Sequence, residues 1–312
     1  MNIGALFSQM VVLFGIILVG FTAAKAGVMN EEINKNLSLL VSTVANPLQV
    51  LSSVLSGARP LENVDVLKLT AIAFGMYIVL IFAAKLLPKL FHADGKQAGV
   101  YQFLFIFSNM GFLGYPVVES LFGEGCRFYV TIFVLTFQLF CWTYGVSLLS
   151  GEKLQLKGKT FLKPMIVSAL LAYVIYFCKI PCPKVVYEIT KSVGGLTSPI
   201  VMLIIGCSLA QLSLKDVFGK WQAYVIAACK LLILPLVGWL IMRQFIHDET
   251  MLGVITVMLA MPSATNATII SYQYGGDEKL ASAGVFLTTL MSVATLPAMM
   301  QLLFRIIPQY IG

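Results

Sequence analysis

Charge is what this sequence has least of. Only 11% of its 312 residues are charged and 59% are hydrophobic, against roughly 25% charged in a soluble domain, and the mean hydropathy is +0.90. That balance excludes a soluble globular chain and implies a polytopic, all-α membrane protein, because lipid leaves backbone polar groups no partner outside a helix or a closed barrel. Polar connecting sequence is also scarce. The longest polar interval runs from about Gly151 to Lys163, the length of an ordinary connection, so no soluble domain is expected. Histidine occurs only at His92 and His247, both in connections, and the 14 acidic residues are scattered. There is no glycine-rich phosphate loop, no His-Glu-x-x-His and no Gly-x-Ser-x-Gly, and no enzyme is expected. The enzyme-class alternative, a membrane-embedded lipid-modifying enzyme, would need acids or histidines gathered near one interface. Six cysteines lie in or near apolar segments, and Cys178-x3-Cys182 has no Cys/His pair to complete a metal site. They read as free thiols. No metal and no cofactor are expected.

What charge there is carries a sign. The formal net charge is +7, but the basic residues lie mostly at the ends of apolar stretches, which points to membrane topology and away from nucleic acid. Stretches of about 20 apolar residues occur near 4–25, 33–56, 65–88, 97–121, 126–149, 164–180, 184–212, 219–243, 250–274 and 281–307. The first has no basic n-region before it and is too long for a signal-peptide core, so it is expected to stay as a span. Ten spans put both termini on one side. The odd-numbered connections hold Lys25, Lys35, Lys85, Lys89, Lys96, Lys153, Lys157, Lys159, Lys163, Lys215, Lys220 and Lys279. The even-numbered ones hold Arg59, Lys68, Arg127, Lys179, Lys184, Lys191, Arg243 and Arg305. Twelve against eight places both termini outside a cytoplasmic membrane.

Lys153 to Lys163 form the densest basic cluster, and the connection 151–163 divides the chain into 1–150 and 164–312, five spans each. An odd number per half obliges the halves to have opposite orientations, so related halves form an inverted repeat. Helix breakers fall in matching places. Asn46-Pro47 in the second span answers Ser198-Pro199 in the seventh, and Asn109 with Pro116 in the fourth answers Pro262 with Asn266 in the ninth. Interrupted spans four and nine crossing at mid-membrane are the pattern of secondary transporters.

At such a crossing each broken helix presents N–H groups at one half and C=O groups at the other, each end worth roughly half a charge. Asn109 and Asn266 add amides that can donate to a carboxylate, and Ser108, Ser263, Thr265 and Thr268 add hydroxyls. Gly111 and Gly114 leave room for a ligand or for a neighbouring helix. Lys230 stands in the middle of the eighth span, where an uncompensated charge costs on the order of 2.5–3.5 kcal/mol. It either attracts the anion or caps carbonyls of a broken helix. Glu119, one turn after Pro116, is a candidate proton carrier or simply solvated, and Glu188 and Lys191 are spaced for an i,i+3 pair. The expected substrate-binding set is Asn46, Asn109, Gly111, Pro116, Pro262, Ser263, Thr265 and Asn266, with Pro47 and Pro199 as helix breaks and Lys230 and Glu119 as charge partners or coupling groups.

Ser108-Asn109-x-Gly111-x-x-Gly114-Tyr115-Pro116, Pro262-Ser263-Ala264-Thr265-Asn266-Ala267 followed by Tyr274-Gly275, Thr288-Thr289-Leu290-x-Ser292-x-x-x-Leu296-Pro297, and Lys230 before Pro235 resemble the auxin efflux carrier family across the whole chain. The long cytosolic loop of its plant members is absent, and a compact bacterial-type permease for malate, malonate or similar acids is the nearer resemblance. The resemblance implies ten helices with crossover helices four and nine, a scaffold of spans 1, 2, 6 and 7, a transport domain of spans 3–5 and 8–10, elevator-type alternating access, and a homodimer through the scaffold. The expected cargo is a small organic anion, a mono- or dicarboxylate, with a coupled proton or sodium ion as candidate partner. The alternative is a sodium/proton-type cation antiporter of related fold.

Overall fold

Three prolines widen the helical turn ahead of them. Pro47, Pro116 and Pro235 each follow a five-residue π-turn, at Val41–Ala45, Met110–Gly114 and Cys229–Ile233. Proline offers no N–H and crowds the carbonyl a turn back, and an opened turn relieves that crowding without ending the helix. The second and eighth spans therefore run through their prolines as single helices.

The computed structural model describes residues 3–57, 61–93, 95–151 and 162–306. Arg59, Lys153, Lys157 and Lys159, and with them most of the basic connection, lie outside the described residues. In chain order the helices are α1 (Ile3–Lys25), α2 (Glu31–Leu55), α3 (Asn63–Phe91), α4 (Gly95–Ile106), α5 (Tyr115–Phe122), α6 (Glu124–Ser150), α7 (Pro164–Cys178), α8 (Lys184–Ala210), α9 (Trp221–Met242), α10 (Glu249–Ala260), α11 (Asn266–Tyr274) and α12 (Glu278–Arg305). The described residues are almost entirely helical, and seven of these helices are long and apolar enough to cross a membrane. This is a multi-pass membrane protein.

Three of the ten expected spans fall short of that length. The sixth, α7, is 15 residues and stops where Lys179 takes a left-handed conformation ahead of Pro181. The fourth and ninth are divided, into α4 and α5 and into α10 and α11. Met261 is extended, as a residue before proline is driven to be, and this ends α10 at Ala260. In the fourth span the division falls at residues 107–109, seven or more residues before Pro116. The chain turns helical again through Pro116, so that proline does not make the break.

Glycines set the closest packing. A Cβ on Gly20 of α1 would lie 2.3 Å from the Leu203 carbonyl oxygen of α8, and one on Gly206 would lie 2.0 Å from that of Ile17. A Cβ on Gly194 would meet the Gln49 backbone of α2 at 2.6 Å. Small residues thus let α8 press against both α1 and α2, as is usual between membrane helices. Helix α7 packs along α2 as well. Phe7, Val11, Val12, Leu18 and Val19 of α1 remain exposed, an apolar face suited to lipid.

Candidate functional site

The two interruptions dock on each other. Ser108 and Ser263 form an antiparallel bridge, in which the Asn109 N–H donates to the Pro262 carbonyl at 2.8 Å and the Ala264 N–H to the Phe107 carbonyl at 2.9 Å. Neither break could satisfy these groups alone, since Pro262 has no N–H and both helices have ended. Two main-chain donors expected to face a solute are thereby spent inside the protein.

The end of α4 is closed in the same way. Its carbonyls accept from Ser263 Oγ at Leu104 (2.7 Å) and from Lys230 Nζ at Phe105 (2.9 Å), beside the Phe107 contact. Lys230 is fully buried in its π-turn. Thr288 Oγ1 accepts the Ser263 N–H at 3.1 Å, tying the second break to α12.

At the opposite polarity, the Ala267 and Thr268 N–H groups close onto the Ala264 and Thr265 carbonyls at 3.0 and 3.1 Å, while Thr265 and Asn266 themselves border open space. A cavity of about 50 Å³ is walled by Thr265 and Asn266 at the start of α11, with Phe112, Ser38, Ser42, Trp142 and Gln273 among its other residues. It shares Ser38, Ser42, Ile204, Thr265, Ile269 and Gln273 with a wider cavity of about 430 Å³. The mouth of the wider one carries Glu31 and Lys35 beside the first connection, Gln211 and Leu212 at the seventh, and Glu278 and Lys279 at the ninth. A vestibule therefore leads from one end of the helices to the start of α11. On its inner wall the Ser38 and Ser42 hydroxyls already donate to the Asn34 and Leu39 carbonyls, so the donors that can serve an anion are the Thr265 hydroxyl and the side-chain amides of Asn266 and Gln273.

Of the expected set, Thr265 and Asn266 reach this cavity. Asn109 stands behind them, its Nδ2 donating to Thr265 Oγ1 at 3.2 Å. Asn46 is fully buried and donates to the Gly111 carbonyl at 3.1 Å. Pro262 and Ser263 belong to the bridge, and Gly114 faces Val130 and Met258, each at just over 3 Å from where its Cβ would be. Pro47 and Pro199 lie in α2 and α8. Glu119 is distant from the crossing, with Oε2 3.8 Å from Arg127 Nε and its side chain 40% exposed. Lys191 pairs with Glu124 at 2.8 Å, not with Glu188, because the first turn of α6 brings a carboxylate against α8 that helical spacing does not reveal. Tyr187 also donates to Glu124.

Ser38, Ser42, Trp142 and Gln273 were absent from the expected set. Asn34, Ser38 and Ser42 recur at intervals of four on a largely apolar helix, and that stripe is a signal for a polar face turned inward. Trp142 and Gln273 carry no comparable mark.

The sequence matches the family described as membrane transport protein over residues 5–159 and 152–300. The chain belongs to that family, the auxin efflux carriers of the sequence resemblance. Similar proteins include a transporter of Methanocaldococcus jannaschii described as uncharacterized, 25% identical over 89% of this chain and 92% of its own length. A second uncharacterized transporter, from Methanothermobacter thermautotrophicus, is 26% identical over 90% and 93%. A Rhizobium meliloti protein named "Putative malonate transporter" is 23% identical over 93% of each chain. The family and these relatives are named as transporters, not enzymes, and this membrane transport protein acts on a small-molecule substrate within the bilayer.

Proposed function

We propose that this membrane transport protein is a secondary transporter of small organic anions, mono- or dicarboxylates, working across the cytoplasmic membrane by elevator-type alternating access. The observation that carries the reading is the asymmetry of the crossing. The carbonyl end of α4, which would draw a cation, accepts from Lys230, Ser263 and Ala264, whereas the amide end of α11, at Thr265 and Asn266, lines the cavity. A helix N-terminus and a neighbouring amide favour a carboxylate. The name of the Rhizobium meliloti relative, which cites malonate, agrees with that chemistry.

In this reading the chain is a ten-span inverted repeat with α4–α5 and α10–α11 as crossover spans. The packing of α1, α2, α7 and α8 on one another supports a scaffold of spans 1, 2, 6 and 7, with spans 3–5 and 8–10 as the moving unit and a homodimer formed through the scaffold. Both termini lie outside, and the vestibule faces the cytoplasm.

Flux into liposomes containing the purified protein tests this, with carboxylates, amino acids and inorganic cations as cargo, each with and without sodium and a pH gradient. Carboxylate flux is the expected result, and its gradient dependence identifies the coupled ion. Flux of sodium or protons with no response to any carboxylate would replace the reading with a cation antiporter.

A further inference from the structure

The wall of the small cavity has no charged side chain among the described residues, and the vestibule mouth balances Glu31 and Glu278 against Lys35 and Lys279. Lys230 is committed to the Phe105 carbonyl. An anion drawn into this cavity still needs a cation near its resting place, and one stands just behind the wall. The Lys163 ammonium lies 3.1 Å from the centroid of the Trp142 ring. Trp142 lines the cavity, as does Met165, two residues beyond Lys163 at the start of α7.

We propose that Lys163 is a second carboxylate subsite: one carboxylate of a short dicarboxylate rests on Thr265 and Asn266, and the other is met by the Lys163 ammonium at the Trp142 edge of the cavity. This deepens the organic-anion reading and rests on it, selecting dicarboxylates from within that class. Three features support it. The lysine is held in place, since an ammonium over an indole face is attracted by the ring quadrupole. It remains adjustable, because a four-carbon stem moves the charge by several ångströms without backbone motion. It is also available, since no carboxylate among the described residues lies within ion-pair distance of it. Burial lowers its pKa to about 8, leaving the group mostly charged at neutral pH. A monocarboxylate would satisfy the amide end alone and gain nothing from Lys163.

The test is titration of the purified full-length protein with potassium malonate and potassium acetate as probes, in the parent, Lys163→Gln and Lys163→Arg. The parent is expected to bind malonate at least tenfold more tightly than acetate. Lys163→Gln should lose that preference while its acetate affinity stays within about twofold, which also shows that the variant is folded. Lys163→Arg should keep it. Equal malonate and acetate affinities in the parent, or an unchanged malonate preference in Lys163→Gln, would overturn the subsite and reduce Lys163 to an interfacial anchor. If neither probe binds the parent, the organic-anion reading fails first and the subsite goes with it.

Discussion

Asn46 and Ser198, each the residue before a proline in a different long helix, donate to successive carbonyls of the fourth span: Asn46 Nδ2 to Gly111 at 3.1 Å and Ser198 Oγ to Phe112 at 2.7 Å. The π-turn Met110–Gly114 is thus held from both sides by α2 and α8. Asn46→Ala should leave the Gly111 carbonyl without this side-chain donor in a buried position, at a cost of about 1–3 kcal/mol. The expected outcome is a lower thermal midpoint in detergent. A midpoint equal to the parent's would mean that this bond does not contribute.

Asn266→Ala and Asn109→Ala should separate by degree. Asn266 lines the cavity, whereas Asn109 acts through Thr265. A hydrogen bond to a charged group contributes about 1.5–3 kcal/mol, so Asn266→Ala should weaken carboxylate binding by roughly ten- to hundredfold. Asn109→Ala should weaken it less, with both variants produced in normal amounts. Transport like the parent's in both would remove the crossing as the substrate site.

Lys230→Ala should chiefly cost stability. It empties a fully buried position and leaves the Phe105 carbonyl without its donor, a combination that typically costs several kcal/mol. Lys230→Arg keeps a donor and should recover part of the loss. The comparison is read from thermal midpoints without any solute. If Lys230→Ala were as stable as the parent but failed to bind carboxylate, its ammonium would belong to the substrate and not to α4.

The helices were largely legible because their signal is strong: long apolar runs, with breaks marked by Pro262 and by Asn109. Pro116 misled because proline in the first turn of a helix costs little when a π-turn precedes it, so the break came earlier, where Ser108 could pair with Ser263. The cavity wall was less legible. Asn266 and Thr265 stand beside a breaker, but Trp142 and Lys163 come from segments that approach only after folding. No periodicity records the contact between Lys163, just before α7, and Trp142, in the last third of α6.

Topology is tested by labelling. In a variant lacking the six native cysteines, a single cysteine at position 157 should resist an impermeant thiol reagent added outside intact cells and react once the membrane is opened. Reaction from outside would reverse the orientation drawn from the excess of lysine in the odd connections.

The last prediction concerns the end of α8 away from the vestibule. Lys191 and Tyr187 hold Glu124, which opens α6 in the moving unit of the elevator reading, and Glu124 also lies 3.8 Å from Arg127. Ser208, on the vestibule wall, is 17 residues further along α8, or about 25 Å at 1.5 Å per residue. Contacts at one end are therefore made while the other end is open, and breaking them should release the moving unit. The Lys191 and Glu124 side chains are 39% and 41% exposed, so the pair contributes only up to about 1 kcal/mol, which corresponds to a change of up to about fivefold in the ratio of the two states. In membranes, a single cysteine replacing Ser38 should then be labelled more slowly when Lys191→Met is added, by up to about fivefold because the rate follows the open fraction, with Lys191→Arg close to the parent. High salt should move the parent in the same direction by screening the pair. If labelling of Ser38→Cys is unaffected by both Lys191→Met and salt, the Glu124 contacts are passive surface pairs and some other contact holds this state.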